Sequence, residues 1–155
     1  RRRRQGELRK SVLAKDERRA IGLARGIARL FEAMDQVSLA EFTVRNGRRA
    51  DVIALDAKGL FTIVEIKTSL ADFRSDAKWR EYLDFCDFYY FAVPEDFPQE
   101  VLPDEHGLIV ADRYDATILR PSCEAPMNAS RRKAQTLRFA RLAARRLREL
   151  TDPGI

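Results

Sequence analysis

Three charged side chains near the middle of the chain have the residue types and the spacing for metal-assisted hydrolysis: Asp51, Glu65 and Lys67. Each lies in a run rich in β-branched and aromatic residues, and such runs favour β-strands. Because side chains alternate between the two faces of a strand, Glu65 and Lys67 share one face. The pattern predicts an acid and a lysine side by side on a sheet.

The two runs are predicted to pair as a β-hairpin, since the short segment between them carries the Asp and Gly residues of a tight turn. If Leu55 opposes Phe61, the same register places Asp51 opposite Glu65. Two carboxylates about 5 Å apart repel each other, and an acid on a mostly apolar face is costly to bury. Lys67 supplies one compensating charge, and a divalent cation held between the two acids would supply the rest.

The tripeptide acid-x-Lys is not specific by itself, because it occurs three times in the chain. Residues 56–58 lie in the predicted hairpin turn, and residues 76–78 lie in a predicted helix, where side chains two positions apart do not share a face. Only residues 65–67 lie in a predicted strand. An exposed ion pair at a strand edge is the alternative interpretation of this pair, and the opposed Asp51 favours the metal site.

Combined with Asp51, the run Glu65-Ile66-Lys67 resembles the PD-(D/E)XK nuclease motif, with Ala50 where a proline often precedes the first acid. The resemblance implies that Asp51, Glu65 and the backbone carbonyl of Ile66 hold Mg²⁺ or Mn²⁺. It also implies that Lys67 positions the attacking water or helps to deprotonate it.

Glu41 is a candidate for a third acid at the metal, because it lies in a short alternating strand predicted before the hairpin. The register through the turn at residues 45–48 decides whether Glu41 shares the face of Asp51, and the sequence leaves this open. A surface glutamate is the alternative. Glu17 and Glu32, on the first predicted helix, are weaker candidates, because nuclease folds of the resembled type often draw an accessory acid from that helix.

Hydrophobic periodicity predicts the elements that position these residues. The predicted bounds are residues 15–34 (helix), 39–44, 49–55 and 61–67 (strands), 69–86 (helix), 88–93, 108–111 and 116–119 (strands), and 129–150 (helix). The second helix begins with a capping pair, Ser69 and Asp72. The order αβββαβ, with additional C-terminal strands and a basic C-terminal helix, resembles the mixed α/β core of restriction-endonuclease-like PD-(D/E)XK proteins. We expect one domain at residues 11–150, a mobile basic tail at residues 1–10 and a C-terminal tail at residues 151–155.

Charge is segregated along the chain, although the net charge is only +5. Residues 1–29 carry 11 basic and 3 acidic side chains, residues 30–128 carry 10 and 19, and residues 129–155 carry 8 and 2. Basic ends around an acidic middle fit a protein that gathers cations at its site and polyanions at its flanks. Nucleic acid is the predicted polyanion, and solvated terminal charge is the alternative.

The predicted DNA contacts are basic or aromatic side chains close to the acids or on the last helix: Arg48, Arg49, Arg74, Lys78, Trp79, Arg138, Arg141 and Arg145. At such a spacing a tryptophan is more often a packing residue than a platform for base stacking. The arginines of the last helix are either a solvated face or contacts to phosphates. The predicted inner side of that helix is apolar: Ala134, Leu137, Ala140, Leu142, Ala144 and Leu147.

Cysteine and histidine usage argues against several classes of site. The two cysteines, Cys86 and Cys123, are too few for a disulfide framework and lack the spacing of a zinc site, so we expect reduced thiols in a cytoplasmic protein. The one histidine, His106, gives little support to a Ser-His-Asp triad. No stretch approaches the roughly 18 apolar residues of a membrane span, and we expect neither a membrane nor a nucleotide cofactor as a partner.

Eight segments together resemble the bacterial MmcB family of DNA repair proteins. They are Asn-Gly-Arg-Arg-Ala-Asp-Val (46–52), Val-Glu-Ile-Lys-Thr-Ser (64–69), Asp-Phe-Arg (72–74), Lys-Trp (78–79), Cys-Asp (86–87), Tyr-Phe-Ala-Val (90–93), Gly-Leu-Ile-Val-Ala-Asp (107–112) and Arg-Arg-Lys-Ala (131–134). The resemblance covers nearly the whole chain after the tail. It implies a role in DNA repair, in a family linked to resistance to the crosslinker mitomycin C.

Two functional classes follow from these observations. In the first, the protein is a Mg²⁺- or Mn²⁺-dependent nuclease that hydrolyses damaged, branched or crosslinked DNA. In the second, the same fold recognises damaged or branched DNA, or joins a repair complex, without cutting. A homodimer and partners in a repair complex are open in both classes. The complete set of Asp, Glu and Lys favours the enzyme, because a decayed site would more often lack one of the three.

Overall fold

A six-stranded open sheet, with its strands side by side in the order β1 to β6, forms the centre of the computed structural model, which describes residues 2–154. The strands are β1 (Val37–Thr43), β2 (Arg49–Leu55), β3 (Phe61–Ile66), β4 (Phe88–Val93), β5 (Gly107–Ala111) and β6 (Ala116–Arg120). The helices of the described residues are α1 (Arg2–Ala33), α2 (Leu70–Ser75) and α3 (Ala129–Thr151), with 3₁₀ helices at Trp79–Phe85 and Gln99–Val101. The predicted mixed α/β class is confirmed.

Strand pairing follows the predicted order. β1, β2 and β3 form an antiparallel meander, β3, β4 and β5 are parallel, and β6 returns antiparallel to β5. In the hairpin, Leu55 lies opposite Phe61, so the predicted register is confirmed. β3 and β4 are parallel because α2 and the 3₁₀ helix after it form the connection between them.

Helices cover both faces of the sheet. On one face, Leu23, Ile27 and Phe31 of α1 are buried against the strands. On the other, Phe139 of α3 and Trp79 of the first 3₁₀ helix are buried in a second cluster. We call these the α1 face and the α3 face. β3, which carries Glu65, is buried along its whole length between the two layers.

α1 begins at Arg2, much earlier than the predicted start at residue 15. Residues 2–10, which the sequence assigned to a mobile tail, are helical and exposed. Arg1 and Ile155 lie outside the described residues. The composition explains the difference, because Arg, Leu, Lys, Glu and Gln are strong helix formers. The apolar periodicity that guided the prediction appears only where the helix reaches the sheet.

The single helix predicted over residues 69–86 is wrong in its second half, because α2 is only six residues long and a separate 3₁₀ helix follows. Its start is confirmed, since the Ser69 hydroxyl accepts a hydrogen bond from the Asp72 amide at 3.1 Å. Its end is set by Asp76, whose carboxylate accepts a hydrogen bond from the Lys78 amide at 2.9 Å. Such a local turn competes with helical hydrogen bonds.

α3 packs on the sheet through a different side from the predicted one. Gln135 and Phe139 are its buried residues and Leu142 is half-buried, whereas Leu137 and Leu147 are 63% and 62% exposed. The alanines of the predicted inner side are also exposed: Ala134, Ala140 and Ala144. The large anchors decide the orientation, because the phenyl ring of Phe139 contacts phenylalanines of β1 and β3 and the amide of Gln135 donates to a backbone carbonyl.

A buried ion pair attaches α3 to the sheet. The carboxylate of Asp87, fully buried, accepts hydrogen bonds from the amides of Phe61 at 2.8 Å and Met127 at 3.0 Å, and from the guanidinium of Arg132. Arg132 also donates to the carbonyl of Gly59 at 2.8 Å. Burial acts to raise the pKa of Asp87, but the donors outweigh it and lower the pKa.

A second arginine, Arg146, attaches α3 to the edge strand β1. Its guanidinium donates to the backbone carbonyls of Ala40 at 2.6 Å and Glu41 at 3.0 Å. Glu41 has a left-handed backbone with φ of 54°, and its pairing with β2 is interrupted there. The two arginine contacts therefore hold α3 across the hairpin that carries Asp51 and Glu65.

Both cysteines are free thiols, Cys86 buried and Cys123 exposed. The ring of His106 packs edge-on against Trp79 and Tyr89. Among residues 2–154, no helix combines the length and the apolar composition needed to cross a bilayer.

Replacing Asp87 with Asn should lower the free energy of unfolding by about 3–5 kcal/mol, because it leaves a partly buried guanidinium without its charged partner. Asp96→Asn is the matched control. Asp96 pairs with Arg19 at the surface, where an ion pair contributes at most about 1 kcal/mol. Urea unfolding followed by circular dichroism measures both, and equal losses would show that the buried pair is not what holds α3.

Candidate active site

Reciprocal hydrogen bonds join Asp51 on β2 to Glu65 on β3. Oδ2 of Asp51 accepts from the amide of Ile66 at 2.7 Å, and Oε1 of Glu65 accepts from the amide of Asp51 at 3.2 Å. The regular ladder between the strands reaches Val52 and Val64. Where the regular strand pairing stops, each carboxylate therefore accepts a hydrogen bond from a backbone amide of the other strand. The two acids thus lie together at the end of the hairpin.

Both acids are withdrawn from water. Glu65 is 5% exposed and Asp51 is half-buried. Burial, and then the charge of Asp51, raises the pKa of Glu65 to about 9. Burial also raises the pKa of Asp51, against the hydrogen bond from Ile66 and the charge of Lys67. Without a bound cation, Glu65 therefore holds a proton at neutral pH, and the pair carries fewer than two charges.

Lys67 lies beside the two acids and is 5% exposed. Its Nζ is 2.6 Å from Oδ2 of Asp76, and its charge opposes the burial that raises the pKa of both site acids. Burial acts to raise the pKa of Asp76, but hydrogen bonds from Lys67 and two backbone amides outweigh it and lower the pKa. An ionised Asp76 thus fixes the ammonium group of Lys67 in place.

Asp76 is the residue of this site that the sequence analysis missed. Residues 76–78 fall within the predicted helix, where the acid and the lysine of this run would not share a face, and Asp76 therefore did not stand out. A signal for the turn is present, since Ser75 and Asp76 are adjacent and both residue types form turns with their side chains. Ending the helix at this point would have brought Asp76 back towards β3.

The 3₁₀ helix after α2 is tied to the start of β2. The hydroxyl of Tyr82 donates to the carbonyl of Arg49 at 2.7 Å, and Arg48 forms an ion pair with Glu81. Burial, and then the charges of the two site acids, raises the pKa of Tyr82. These contacts place a phenol close to the acids on the α3 face.

The predicted DNA contacts near the acids fall into three environments. Arg49, Arg74 and Lys78 are exposed, and Arg48 is half-buried in its ion pair. Trp79 is 3% exposed and packs among aromatic rings, with an arginine guanidinium over its indole. The packing interpretation therefore applies to Trp79, which a base cannot reach, and this corrects its inclusion among the DNA contacts.

Arginines repeat along one flank of α3. Arg138, Arg141 and Arg145 line a groove of about 360 Å³ beside β1. Arg138 also lines a neighbouring groove of about 290 Å³ together with Arg45 and Arg131. We call Arg131, Arg138, Arg141 and Arg145 the arginine flank. A row of guanidinium groups along a groove suits a phosphate backbone.

Glu41 is exposed and lines the groove of the arginine flank. The register of β1 and β2 would set it opposite Asp51, but its left-handed backbone interrupts the pairing at this position. Among residues 2–154, no three acidic, histidine or cysteine side chains form a group that could hold a metal. The structure therefore brings together Asp51, Glu65 and Lys67, and it does not add Glu41 to them.

The donor set fits a small hard cation. Mg²⁺ is commonly held by one or two carboxylates, with waters and substrate phosphates completing its shell. Asp51 and Glu65 supply two carboxylates whose ionised forms repel each other, and a cation between them would replace the proton on Glu65. A two-carboxylate site is thus compatible with the residues present.

The chain is similar to a known protein family and to a solved structure. A family model described as DNA repair protein MmcB-like matches residues 10–154. The chain is 49% identical to a solved structure titled "SPO1766 protein of unknown function from Silicibacter pomeroyi", with a TM-score of 0.83, over 84% of this chain and 90% of that one. No curated protein matches the chain. Both matches extend over most of the described fold.

Glu65→Gln should stabilise the metal-free protein, increasingly so as the pH rises. The pKa of Glu65 is raised from 4.5 to about 9 by folding, so the native state loses stability relative to the unfolded state between these values. The variant should match the parent near pH 4.5 and exceed it by up to about 3 kcal/mol at pH 7.

Thermal unfolding with EDTA at several pH values measures the effect. Glu41→Gln is the control, because Glu41 is exposed. A stability gain that does not change with pH would show that the glutamate is not held protonated in the fold.

Proposed function

Since the chain belongs to the MmcB-like family of DNA repair proteins, we propose that it acts in repair as a metal-dependent nuclease that hydrolyses DNA phosphodiester bonds. The proposal assigns the core to the PD-(D/E)XK type, with Asp51, Glu65 and Lys67 as its catalytic residues. Damaged, branched or crosslinked DNA is the proposed class of substrate. The family membership itself supports the repair role, and the residues of the site support the chemistry.

The observation that carries the proposal is the pair of buried acids with a buried lysine beside them. Placing Asp51 and Glu65 together opposes folding, since burial raises the pKa of both and the charge of Asp51 raises the pKa of Glu65 further. A purely structural site would gain stability from apolar side chains at these positions. Strongly shifted acids grouped with a lysine are typical of functional sites.

The roles follow from the chemistry of each group. Asp51 and Glu65, with the backbone carbonyl of Ile66, would hold Mg²⁺ or Mn²⁺. When bound, such a cation polarises phosphate oxygens and makes a water more acidic. Lys67, fixed by Asp76, donates hydrogen bonds that position the attacking water or a phosphate oxygen. Attack of the water oxygen on phosphorus breaks one P–O bond, and the leaving oxygen takes up a proton.

The arginine flank supplies the proposed path for the DNA backbone. The central segment of the chain has more acidic than basic groups and would repel phosphates by itself. Exposed guanidinium groups on α3, and Arg49, Arg74 and Lys78 close to the acids, offset this charge. The proposed interface thus lies on the α3 face, the same face as the site acids.

A second candidate function is DNA binding or scaffolding without cleavage. Two observations favour it: the ammonium of Lys67 is already paired with Asp76, and the described residues offer two carboxylates rather than three. Under this alternative the arginine flank would keep its role and the acids would serve no reaction.

Asp51→Asn and Lys67→Ala should each abolish metal-dependent cleavage, while DNA affinity stays within about threefold, because the arginine flank is unchanged. The measurement is digestion of labelled single-stranded, branched and crosslinked DNA with Mn²⁺ or with EDTA, beside binding by fluorescence anisotropy.

Asp96→Asn removes a surface acid and is the control for a change of charge. Variants that cut as well as the parent would place the active site elsewhere. A parent that binds every substrate and cuts none, with Mn²⁺ present, would support the second candidate.

Changing Arg138, Arg141 and Arg145 together to Gln should flatten the dependence of DNA affinity on salt. Each lost phosphate contact removes about 0.9 from the slope of log affinity against log salt on duplex DNA. We expect a change equivalent to about one to three contacts, with similar weakening for all sequences.

The matched control changes Arg18, Arg25 and Arg113 to Gln, since these exposed arginines lie on α1 and beyond β5, away from the α3 face. An unchanged slope in the α3 variant would show that its arginines are a solvated surface. An equal change of the slope in both variants would indicate that the salt dependence follows the net charge of the protein rather than an interface on α3.

A further inference from the structure

An apolar stripe runs along α3, about 120° around the helix from the centre of the arginine flank. With 3.6 residues per turn, Leu137, Ala140, Ala144 and Leu147 fall on one side of the helix. All four are exposed, the two leucines by 63% and 62%. The first half of this stripe borders an open, mostly apolar groove of about 790 Å³. The stripe has no partner within the described residues, and neither the site nor the proposed DNA contacts use it.

The spacing within the stripe is symmetric. Its residues are separated by three, four and three positions, so the sequence Leu, Ala, Ala, Leu has the same pattern in both directions. When two such helices lie antiparallel across a two-fold axis, Leu137 of each contacts Leu147 of the other, and Ala140 contacts Ala144. A surface that is complementary to itself is what a two-fold interface requires.

The chemistry of the stripe suits close helix packing. Two alanines at its centre allow the backbones to approach to the lower end of the usual separation of about 8–10 Å. The leucines at the two ends of the stripe then pack against each other across the interface, on either side of the alanines. Antiparallel helices also place their opposite dipole ends together, which favours this arrangement over a parallel one.

Charge at the helix ends complements the same arrangement. Lys133 lies near the start of α3, on the side of the stripe, and Asp152 caps the end of α3. In the antiparallel pair, Lys133 of one chain comes close to Asp152 of the other, twice by symmetry.

We propose that the stripe binds a second copy of this chain, forming a two-fold dimer through antiparallel α3 helices. The interface is one helix wide, which is less than the roughly 800 Å² per partner of a standard stable interface. The dimer is accordingly weak, with a dissociation constant in the micromolar range or above. The arginine flanks stay free on the outer sides, so dimer formation brings two DNA-binding grooves into one particle.

Sedimentation equilibrium of the full chain, from about 1 µM to about 1 mM, tests the proposal. The native chain should shift from 17.8 kDa towards twice that mass with concentration. Leu137→Glu should raise the dissociation constant about tenfold or more, because it buries a charge in the contact.

Leu150→Glu is the matched control. Leu150 is an exposed leucine of the same helix, about 100° around the helix from the centre of the stripe. This variant should dimerise like the parent. An equal effect of both substitutions would argue against the stripe, and the Leu137→Glu variant is folded if its circular dichroism matches that of the control.

Crosslinking supplies a second readout, in a Cys123→Ser background that removes the exposed thiol. The double variant Leu137→Cys and Leu147→Cys should form covalent dimers with a short bis-maleimide. Within one chain the two positions are about 15 Å apart along the helix, too far for a short linker. The single variant Leu137→Cys should not crosslink, because its equivalent thiols are also about 15 Å apart in the antiparallel dimer.

Crosslinking of the single variant as efficiently as the double would indicate random encounter or a parallel pair. A native chain of 17.8 kDa at every concentration, with no crosslinked double variant, would overturn the proposal.

Discussion

The burial of two carboxyl groups side by side at the end of one hairpin is the constraint on which the rest of this structure depends. Asp51 and Glu65 are held by each other's strands through side-chain to amide hydrogen bonds, in place of the regular ladder. The surrounding elements complete the site: a lysine from the end of β3 compensates the charge, an acid from the turn after α2 orients that lysine, and a phenol from the 3₁₀ helix packs nearby. None of these groups is placed well unless the hairpin register is fixed.

That register is reinforced at the turn end of the hairpin by α3. The carboxylate of Asp87 accepts hydrogen bonds from two backbone amides and from the guanidinium of Arg132. Arg132 also donates to the carbonyl of Gly59 in the hairpin turn. Asp87, at the start of β4, is thus connected both to the last helix and to the turn of the hairpin. The ion pair has a low penalty for burial because all the polar atoms of Asp87 have donors.

The sequence predicts the hairpin and its register well, because strand alternation and a short turn leave few other pairings for residues 51 and 65. It does worse where small local preferences compete. Asp76 ends a helix through its own side chain, and no apolar period shows this. The orientation of α3 is set by Phe139 and Gln135, which are fewer than the alanines and leucines on its other side but bury more atoms or bond a buried carbonyl. Hydrophobic periodicity reflects only how many apolar residues lie on each side of a helix. Packing depends also on the shape of the side chains and on polar groups that need hydrogen-bond partners.

The contact between Arg146 and the outer strand also protects the sheet from uncontrolled growth. β1 is an edge, and an edge strand offers free backbone groups to any extended chain that passes. In this protein the guanidinium of Arg146 donates hydrogen bonds to the carbonyls of Ala40 and Glu41. The left-handed backbone at Glu41 also interrupts the extended conformation of the strand. An incoming strand finds neither a continuous row of acceptors nor a straight template at this edge, so β1 is a poor site for the addition of a seventh strand.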